Sequence, residues 1–345
     1  MKKILSFLLM TIFLTGCSLS DNTKIVFTTG FGSDEVFRIE DSSCSLSEVM
    51  VYLINIQNEY EGALGSEILS VQIDEDTTIE DRLKEKALSE IAQIKTMVLL
   101  AEINGVALDE SESAQASKAG EEYYESLNGE EIEAMNNISI ETVTNLYAEY
   151  ALANKVYEYI IKDINPEISD DEARTITVEQ ILIKTYSIDE DGNCRKFDAS
   201  EKAEAYSTAK DILSQIKDGV SFENLMDSYN EADESIISFG KGEKESVYET
   251  EAFNLGTDEV SNIIETEDGY YILKCISTFN KEETEANKLK IVEKRRSQVF
   301  NEHYDEFASN ISRDINMNLW NSVALVKNEN VTTNSFFDIY EKYFE

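Results

Sequence analysis

Pro166 is the only proline in this chain of 345 residues. Proline has no backbone N–H and breaks helices, so a chain that almost lacks it can form long uninterrupted helices. Upstream of Asn165-Pro166 the apolar residues recur at three- and four-residue steps, the period of an amphipathic helix. From Arg174 onward the pattern changes to short β-prone runs. The sequence therefore predicts a helical part that ends near Pro166 and a different domain after it.

The helical part begins after two short strand candidates, Ile25–Thr28 and Val36–Ile39. Ser45 or Ser47 can cap the first helix and Thr78 the second, because their hydroxyls accept hydrogen bonds from free backbone N–H groups. Aromatic and aliphatic stripes on these segments indicate a shared helical core. The predicted helices cover residues 45–61, 78–104, 109–127 and 139–162.

The part after Pro166 follows the order β-α-α-(β)-α-β-β. Its predicted strands are 176–183, 260–265 and 270–276, and its predicted helices are 200–217, 222–229 and 247–254, with a turn-rich loop at 189–193. A helix over 284–311 and an aromatic tail from Phe336 to Phe344 follow, and the tail should pack on the helical body rather than dangle. Residues 288–296 are rich in Lys and Arg. We expect this stretch to dock on the acidic N-terminal helices, with a partner-binding site as the alternative.

The net charge of −39 argues against a nucleic-acid partner, because phosphate contacts need clustered Lys and Arg. The charge also repels an anionic membrane surface, and solubility is the interpretation we favour for it. His303 is the only histidine. Histidine-ligated metal centres and Ser-His or Cys-His catalytic pairs are therefore not expected, and the cysteine spacing fits no metal site.

The N-terminus has the features of a signal peptide. Lys2 and Lys3 precede an apolar run from Ile4 to Leu14, which is shorter than the ~20 residues that a spanning helix needs. The run ends in Leu14-Thr15-Gly16-Cys17, which resembles the lipobox of bacterial lipoproteins. That resemblance implies cleavage before Cys17, a diacylglycerol on its thiol, and a place on the extracytoplasmic face of the cell membrane. The alternative is a buried cysteine that happens to follow a signal peptide.

Three cysteines remain if Cys17 carries lipid: Cys44, Cys194 and Cys275. An odd number cannot pair completely within one chain. A Cys194–Cys275 disulfide and free, partly buried thiols are both compatible with the sequence.

Residues 177–279 resemble a parvulin-type (PpiC, rotamase) peptidyl-prolyl isomerase domain, because five pieces of that family's pattern occur in order. They are Val178-Glu179-Gln180-Ile181-Leu182-Ile183-Lys184, Ile216-Lys217-Asp218-Gly219-Val220-Ser221-Phe222, Phe239-Gly240-Lys241-Gly242, Glu249-Thr250-Glu251-Ala252-Phe253-Asn254-Leu255-Gly256 and Asp268-Gly269-Tyr270-Tyr271-Ile272-Leu273-Lys274. The flanking helical segments behind a lipobox are similar in layout to PrsA-like foldase lipoproteins and SurA-type chaperones. The resemblance implies an α+β fold in which the N- and C-terminal segments form one helical chaperone domain with the parvulin domain inserted.

A parvulin-type site needs no cofactor, because the reaction is rotation about an X–Pro bond. The family holds the proline ring on an apolar floor and places two histidines and a nearby Cys or Asp beneath it. Here Gln180 and Tyr271 stand at the histidine positions and Asp233, beside Ala232, near the Cys/Asp position. The resemblance makes these three residues the catalytic candidates.

The substrate-binding floor departs from the family pattern. Ile236 stands at a leucine position, Lys244 at the methionine position and Tyr248 at the phenylalanine position, whereas Phe253 is kept. Gln and Tyr can still hydrogen-bond, but a lysine puts a charge where the floor should be apolar unless it points to solvent. The pattern therefore predicts a degenerate site with weakened binding of the proline ring.

The sequence predicts an extracytoplasmic, membrane-anchored foldase for unfolded or newly translocated polypeptides with X–Pro segments. A slow isomerase and a non-catalytic chaperone or peptide-binding lipoprotein remain the two alternatives, and a solute-binding lipoprotein is disfavoured by the lack of alternating α/β lobes. The predicted divisions are 1–17 signal peptide and lipobox, 18–35 tether and short strand, 36–166 N-terminal helical domain, 172–279 parvulin-like domain, and 281–345 C-terminal helix and tail packing on the N-terminal domain.

Overall fold

A computed structural model describes residues 30–74, 77–189 and 194–344. The predicted strand Ile25–Thr28, the apolar run and Cys17 lie outside the described residues. The chain divides into two compact units. The helical unit contains the described residues up to Asp163 and those from Ser297 onward, and the sheet unit runs from Ile164 to Arg296. The sheet unit is therefore an insertion within the sequence of the helical unit.

The helical unit combines helices with a small antiparallel sheet in which Glu35–Ile39 lies between Ser42–Ser45 and Arg313–Ile315. Its elements before the insertion are β1 (Glu35–Ile39), β2 (Ser42–Ser45), α1 (Leu46–Leu64), a 3-10 helix (Ser66–Ser70), α2 (Ile79–Ile103), α3 (Glu110–Ser126), α4 (Gly129–Ala134) and α5 (Ile140–Ile161). Its elements after the insertion are the end of α10 (Lys281–Ser309), β9 (Arg313–Ile315), α11 (Met317–Trp320) and α12 (Phe336–Phe344).

Side-chain caps fix where the helices begin. Ser45 caps α1 and Thr78 caps α2, and in both cases an acidic residue three positions later returns a hydrogen bond to the cap's backbone N–H. Such reciprocal pairs satisfy two otherwise free donors at a helix start. In α1 every residue from Val49 to Gln57 is buried. A helix that is buried all round must lie at the centre of its unit.

Phe336, at the start of α12, lies at the centre of the helical unit's core. Its ring stacks on Tyr147 at 4.4 Å and meets the edge of Tyr123 at 5.3 Å between ring centroids. Asn55 in α1 joins these elements, since its Nδ2 donates to the Tyr123 hydroxyl (2.6 Å) and its Oδ1 accepts from Phe336 N (3.1 Å). The aromatic tail is thus part of the core that the N-terminal helices build.

A buried ion cluster links three elements of the helical unit. Lys95 in α2 is buried, and its Nζ lies 2.6 Å from a Glu48 carboxylate oxygen and 2.7 Å from one of Glu149. Burial raises the pKa of the Glu149 carboxyl above its usual value, while Lys95 acts to lower it. Removing a buried cation from such a cluster leaves uncompensated charge, which is costly.

The sheet unit is built on a four-stranded antiparallel sheet in the spatial order Ile236–Gly240, Thr175–Lys184, Gly269–Ser277 and Ile264–Glu265. Its elements are α6 (Asp170–Ala173), β3 (Thr175–Lys184), β4 (Tyr186–Ile188), β5 (Cys194–Lys196), α7 (Ala199–Lys217), α8 (Phe222–Tyr229), β6 (Ile236–Gly240), α9 (Ser246–Asn254), β7 (Ile264–Glu265), β8 (Gly269–Ser277) and the first part of α10. The predicted α+β class and the order β-α-α-β-α-β-β are confirmed.

The two faces of this sheet bury different side chains because residues alternate along a strand. On one face Ile181, Ile183 and Ile272 pack against α7 and α8. On the other face Val178 and Leu273 pack with residues of β6 and α9. The hairpin between β7 and β8 needs glycine at 269, where φ is +148° and a Cβ atom would lie 2.1 Å from the Ile183 carbonyl oxygen.

Several local predictions were wrong. Two short paired strands, β4 and β5, were not predicted from the sequence. Of the loop predicted over 189–193, residues 190–193 lie outside the described residues. The strand predicted over 260–265 is reduced to Ile264–Glu265 and an isolated bridge at Val260. Cys194 and Cys275 are both free thiols, so of the two alternatives that the sequence left open the disulfide is not formed.

The basic stretch of α10 also differs from expectation. Lys288 pairs with Asp170 and Arg295 with Glu172, both in the short helix α6. Lys288 also pairs with Glu285, and Arg296 with Glu293, within α10 itself. Leu289, which the sequence places in the apolar stripe, is 65% exposed. None of the described helices is long and apolar enough to cross a membrane.

Candidate functional site

The candidate residues of β3 and β8 share one face of the four-stranded sheet. Gln180 lies opposite Leu273, and Tyr271 lies opposite Leu182, so Gln180 and Tyr271 are diagonal neighbours on adjacent strands. Diagonal side chains on one face are within reach of each other when one of them is aromatic. The strand register therefore brings together the two residues that stand at the family's histidine positions.

The side chain of Gln180 is buried, and both of its polar atoms are used. Its Nε2 donates to the Glu234 carbonyl oxygen (2.7 Å), and its Oε1 accepts from the Tyr248 hydroxyl (2.9 Å). Its backbone N–H also donates to the Ser235 carbonyl oxygen (2.9 Å). Gln180 thus ties α9 and the loop 231–235 to β3.

Tyr248 projects from α9 between the two diagonal residues and is 4% exposed. Its hydroxyl reaches Gln180, while its ring meets the Tyr271 ring edge-on at a centroid distance of 5.0 Å. Burial raises the pKa of Tyr248 far above its ordinary value, so this phenol stays protonated and remains a donor. Tyr248 connects Gln180 and Tyr271, which have no direct hydrogen bond between them among those of the described residues.

Tyr271 is partly exposed, and its hydroxyl makes no hydrogen bond within the described part of the chain. Burial raises its pKa to about 12, and the negative charges of Asp268, Glu245 and Asp233 act in the same direction. At neutral pH the phenol is protonated. Its O–H is therefore available to donate to a group bound on this face.

Aromatic rings continue the site towards β6. Phe239, buried in β6, lies 5.7 Å from Tyr248 and 5.8 Å from Phe253 between ring centroids. The guanidinium of Arg174 lies 4.8 Å from the Phe253 ring, and Lys244 Nζ lies 5.9 Å from the Phe239 ring. Tyr271, Tyr248, Phe239 and Phe253 thus form a row of four rings, and a cation lies beside each of the last two.

The remaining candidates lie at the exposed rim. Asp233 is exposed in the loop 231–235, close enough to Tyr271 to affect its pKa. Ile236 is 53% exposed and pairs with Glu179 of β3, and Lys244 is exposed. The structure therefore joins Gln180, Tyr248 and Tyr271 in one cluster and places Asp233, Ile236 and Lys244 around it.

Sequence reasoning missed two parts of this arrangement. Phe239 was recognised only as part of a turn, although an aromatic residue before Gly-Lys-Gly at a strand end was a usable signal for a floor position. No sequence pattern indicates that the carbonyl groups of Glu234 and Ser235 accept hydrogen bonds from Gln180. Among the described residues no group of His, Cys, Asp and Glu side chains is arranged to hold a metal ion.

The arrangement suits binding and distortion of a ring-sized apolar group rather than covalent chemistry. The partly exposed rings of Tyr271 and Phe253 leave apolar surface for a proline ring, and the Tyr271 phenol can donate a hydrogen bond to the bound segment. Rotation about an X–Pro bond must overcome a barrier of ~18–20 kcal/mol that amide resonance creates. A surface that favours the twisted amide over the planar one lowers that barrier without a nucleophile.

Comparison with known proteins gives one family match. Residues 181–277 match the family model described as Rotamase, PPIC-type PPIase domain. No curated protein sequence matches the chain. The recognition of a parvulin-type domain in this part of the chain is confirmed by the family model.

Solved structures of similar proteins include a peptidylprolyl isomerase (PrsA) from Bacillus cereus, which is 18% identical in sequence. The match covers 80% of this chain and 100% of that chain, with a TM-score of 0.37. The foldase protein PrsA from Streptococcus pneumoniae has 17% identity, covers 80% of this chain and 99% of its own, and gives a TM-score of 0.32. The peptidyl-prolyl isomerase ESS1 from Candida albicans has 24% identity over 37% of this chain and 75% of its own, with a TM-score of 0.27.

Proposed function

We propose that this chain is an extracytoplasmic, membrane-anchored foldase whose sheet unit catalyses slow isomerisation of X–Pro bonds in unfolded polypeptides. The observation that carries the proposal is the convergence of Gln180, Tyr248 and Tyr271 on one sheet face, within a segment that matches an isomerase family. Tyr271 would face the substrate and donate its hydroxyl to it. Gln180 would hold Tyr248 and the loop 231–235 in place.

The reaction should be slow because the polar cluster is degenerate. Both atoms of the Gln180 carboxamide already have protein partners, so only one phenol is left to interact with the twisted amide. Each 1.36 kcal/mol lost from stabilisation of the transition state costs about tenfold in rate. Loss of one good hydrogen bond, about 1.5 kcal/mol, therefore predicts a rate roughly ten times below that of a site with two donors.

A protease-coupled proline assay on the full chain in neutral detergent tests the catalytic part. We expect acceleration above background that falls in Tyr271→Phe, a variant that keeps the ring and removes only the hydroxyl. Asp211→Asn, on the outer surface of α7, serves as the control and should leave the rate unchanged. A background rate that none of Gln180→Ala, Tyr248→Ala and Tyr271→Ala changes removes the isomerase assignment.

A non-catalytic chaperone or peptide-binding lipoprotein is the second candidate, and one observation favours it. Tyr248, at a position where the family places a floor phenylalanine, is 4% exposed, and its hydroxyl donates a hydrogen bond to Gln180. A ring that is buried to this extent offers little surface to a proline. In that case peptides should bind without any acceleration of their cis–trans exchange.

The chaperone part rests on the helical unit and needs its own test. The full chain should slow the aggregation of an unfolded client protein measured by light scattering. A variant in which the sheet unit alone is inactivated, Tyr271→Phe, should protect the client equally well, because the hydroxyl is not part of the helical unit. Absence of protection by the unaltered chain would remove the chaperone assignment and leave the isomerase assignment standing.

The membrane anchor is supported by Leu14-Thr15-Gly16-Cys17 after a basic start and a short apolar run. A diacylglycerol supplies two acyl chains, and about 0.8 kcal/mol per buried methylene gives stable anchoring. Expression in a bacterial host with labelled fatty acid should label the unaltered chain, and Cys17→Ser should abolish the label and release the protein from the membrane fraction. Labelling that survives in Cys17→Ser contradicts the anchor.

A further inference from the structure

Arg174 lies directly before β3, where the short helix α6 ends. The first part of α10 fixes the backbone on both sides of it. Asn287 Nδ2 donates to the Ala173 carbonyl oxygen (3.0 Å), and the Thr284 hydroxyl accepts from the backbone N–H of Thr175 (3.1 Å). The side chain of Arg174 therefore starts from a well-defined place beside the sheet.

The side chain of Arg174 reaches the C-terminal end of α9 and contacts Phe253 in two ways. Its guanidinium lies over the Phe253 ring, 4.8 Å from the ring centroid, and its Nη2 donates to the Phe253 carbonyl oxygen (3.4 Å). A cation is attracted both by the face of an aromatic ring and by the free carbonyl groups at a helix C-terminus. One side chain thus holds the ring and the backbone of Phe253 together.

Arg174 forms no ion pair with a carboxylate in the described part of the chain. The neighbouring acidic side chains of α6 pair elsewhere, Asp171 with Lys241 at 3.0 Å and Glu172 with Arg295. The Nε of Arg174 is buried and has no hydrogen-bond partner, which destabilises the fold. Positions that break a packing rule in this way are typical of functional sites. The contacts at the end of α9 are therefore the reason we assign to this arginine.

Phe253 is one of the two partly exposed rings in the row of four, and Tyr271 is the other. The buried Phe239 meets the Phe253 ring edge-on, at 5.8 Å between ring centroids. Phe253 is the last residue but one of α9, and helix ends fray. Without the guanidinium of Arg174, the ring would be held on one side only and could change its rotamer.

We propose that Arg174 is a positioning residue, which holds the Phe253 ring in the orientation that receives the proline ring. The inference rests on the proposed function, because it assumes that a proline ring binds on Phe253. Arg174 precedes the segment 181–277 that matches the isomerase family, so this contact lies outside the matched pattern. Arg174 acts through the ring and does not itself contact the substrate.

The kinetic consequence follows from what the ring contacts. A proline ring lies on Phe253 whether the X–Pro amide is planar or twisted, so its binding is the same in the ground state and in the transition state. Loss of such uniform binding raises KM and leaves kcat unchanged. A chain whose ring is in place only part of the time binds more weakly in proportion to that fraction. Loss of the cation predicts an effect of up to about fivefold, equivalent to about 1 kcal/mol.

The test is a double-mutant cycle on the full chain in neutral detergent. Arg174→Met removes the cation and its donors, and Phe253→Leu removes the ring. For an Ala-Pro tetrapeptide the dissociation constant is measured by NMR titration, and KM and kcat by the protease-coupled assay. Arg174→Met alone should raise the dissociation constant and KM about threefold to fivefold and change kcat by less than about 1.5-fold. In the Phe253→Leu background it should change neither constant, because the ring through which it acts is gone.

Two further measurements separate positioning from a general loss of structure. Arg174→Lys should bind the peptide more tightly than Arg174→Met, because an ammonium group can also lie over a ring, but less tightly than the unaltered chain, because only a guanidinium stacks flat. In the unaltered chain the ring current of Phe253 should shift the Arg174 Nε–H resonance upfield. That shift should disappear in Phe253→Leu, while the backbone amide spectrum of β3 and β8 stays unchanged.

Lys210→Met is the matched control, because it removes a cation that lies 6.0 Å from the Tyr206 ring on α7, which covers the other face of the sheet. It should leave the dissociation constant and KM unchanged. A dissociation constant that does not change in Arg174→Met, or that changes equally with and without the Phe253 ring, overturns the inference and leaves the isomerase intact. Peptide binding without acceleration removes the isomerase and keeps the inference, whereas a chain that does not bind the peptide removes both.

Discussion

The hydrogen bond between Tyr248 and Gln180 allows a prediction in which two chemically identical substitutions give different results. Tyr248→Phe removes a hydroxyl that donates to the buried Gln180 Oε1 at 2.9 Å. Tyr271→Phe removes a hydroxyl from a ring only 5.0 Å away that has no hydrogen-bond partner in the described part of the chain. The two variants lose the same atom, so any difference in stability comes from the hydrogen bond.

The magnitude follows from the burial of both partners. Gln180 is 6% exposed and Tyr248 4% exposed, so water cannot replace the lost donor without a rearrangement. Leaving a buried acceptor unpaired costs ~1–3 kcal/mol. Taking about 2 kcal/mol, the equilibrium for opening the sheet unit should rise about thirtyfold in Tyr248→Phe, and by less than about threefold in Tyr271→Phe.

Native-state hydrogen exchange of the β3 and β8 backbone amides measures this opening in the sheet unit alone. The chain supplies its own control, because its single tryptophan, Trp320, lies in the helical unit and reports unfolding there. The fluorescence transition of Trp320 should not move in either variant. Equal protection of the β3 amides in the two variants would refute the reasoning that Gln180 depends on the Tyr248 hydroxyl.

Further predictions concern both units. Phe336→Ala should destabilise the helical unit by ~3–5 kcal/mol in urea unfolding followed by tryptophan fluorescence, because a fully buried aromatic ring is removed. Lys95→Met should cost ~3–5 kcal/mol at pH 8, and less at pH 5, because burial raises the pKa of Glu149 and acid then favours the folded state. Lys274, as a hydrogen-bond donor, lowers the pKa of Glu223 to about 2, so stability that is present above pH 4.5 is lost as the pH falls towards 2. In Glu223→Gln the free energy of unfolding of the sheet unit should depend less on pH between 4.5 and 2, measured by unfolding followed by NMR at each pH.

The sequence predicted the parts of the fold that local patterns determine. The start of α1 was predicted at Ser45 or Ser47 and that of α2 at Thr78, and in the structure the side chains of Ser45 and Thr78 cap the two helices. The order of strands and helices in the sheet unit followed from motif spacing and alternation. These features depend on residues within a few positions of each other, which a single sequence contains.

Features that depend on tertiary placement were not predictable. The exposure of Leu289 could not be read from its helical spacing, since periodicity shows which residues share a face but not whether another element covers that face. The two partners of the Gln180 carboxamide lie 54 and 68 residues further along the chain. The pairing of β4 with β5 was not predicted, because each strand is only three residues long and too short for an alternating pattern to stand out.

The central claim is that an X–Pro segment binds on the sheet face at the partly exposed rings of Tyr271 and Phe253, above the buried ring of Tyr248. Intermolecular NOEs between the ring protons of proline in an Ala-Pro tetrapeptide and the aromatic protons of the full chain test it most directly. The account predicts NOEs to Tyr271 and Phe253. NOEs to Tyr270 or Phe222, which pack on the opposite face of the same sheet, would contradict it.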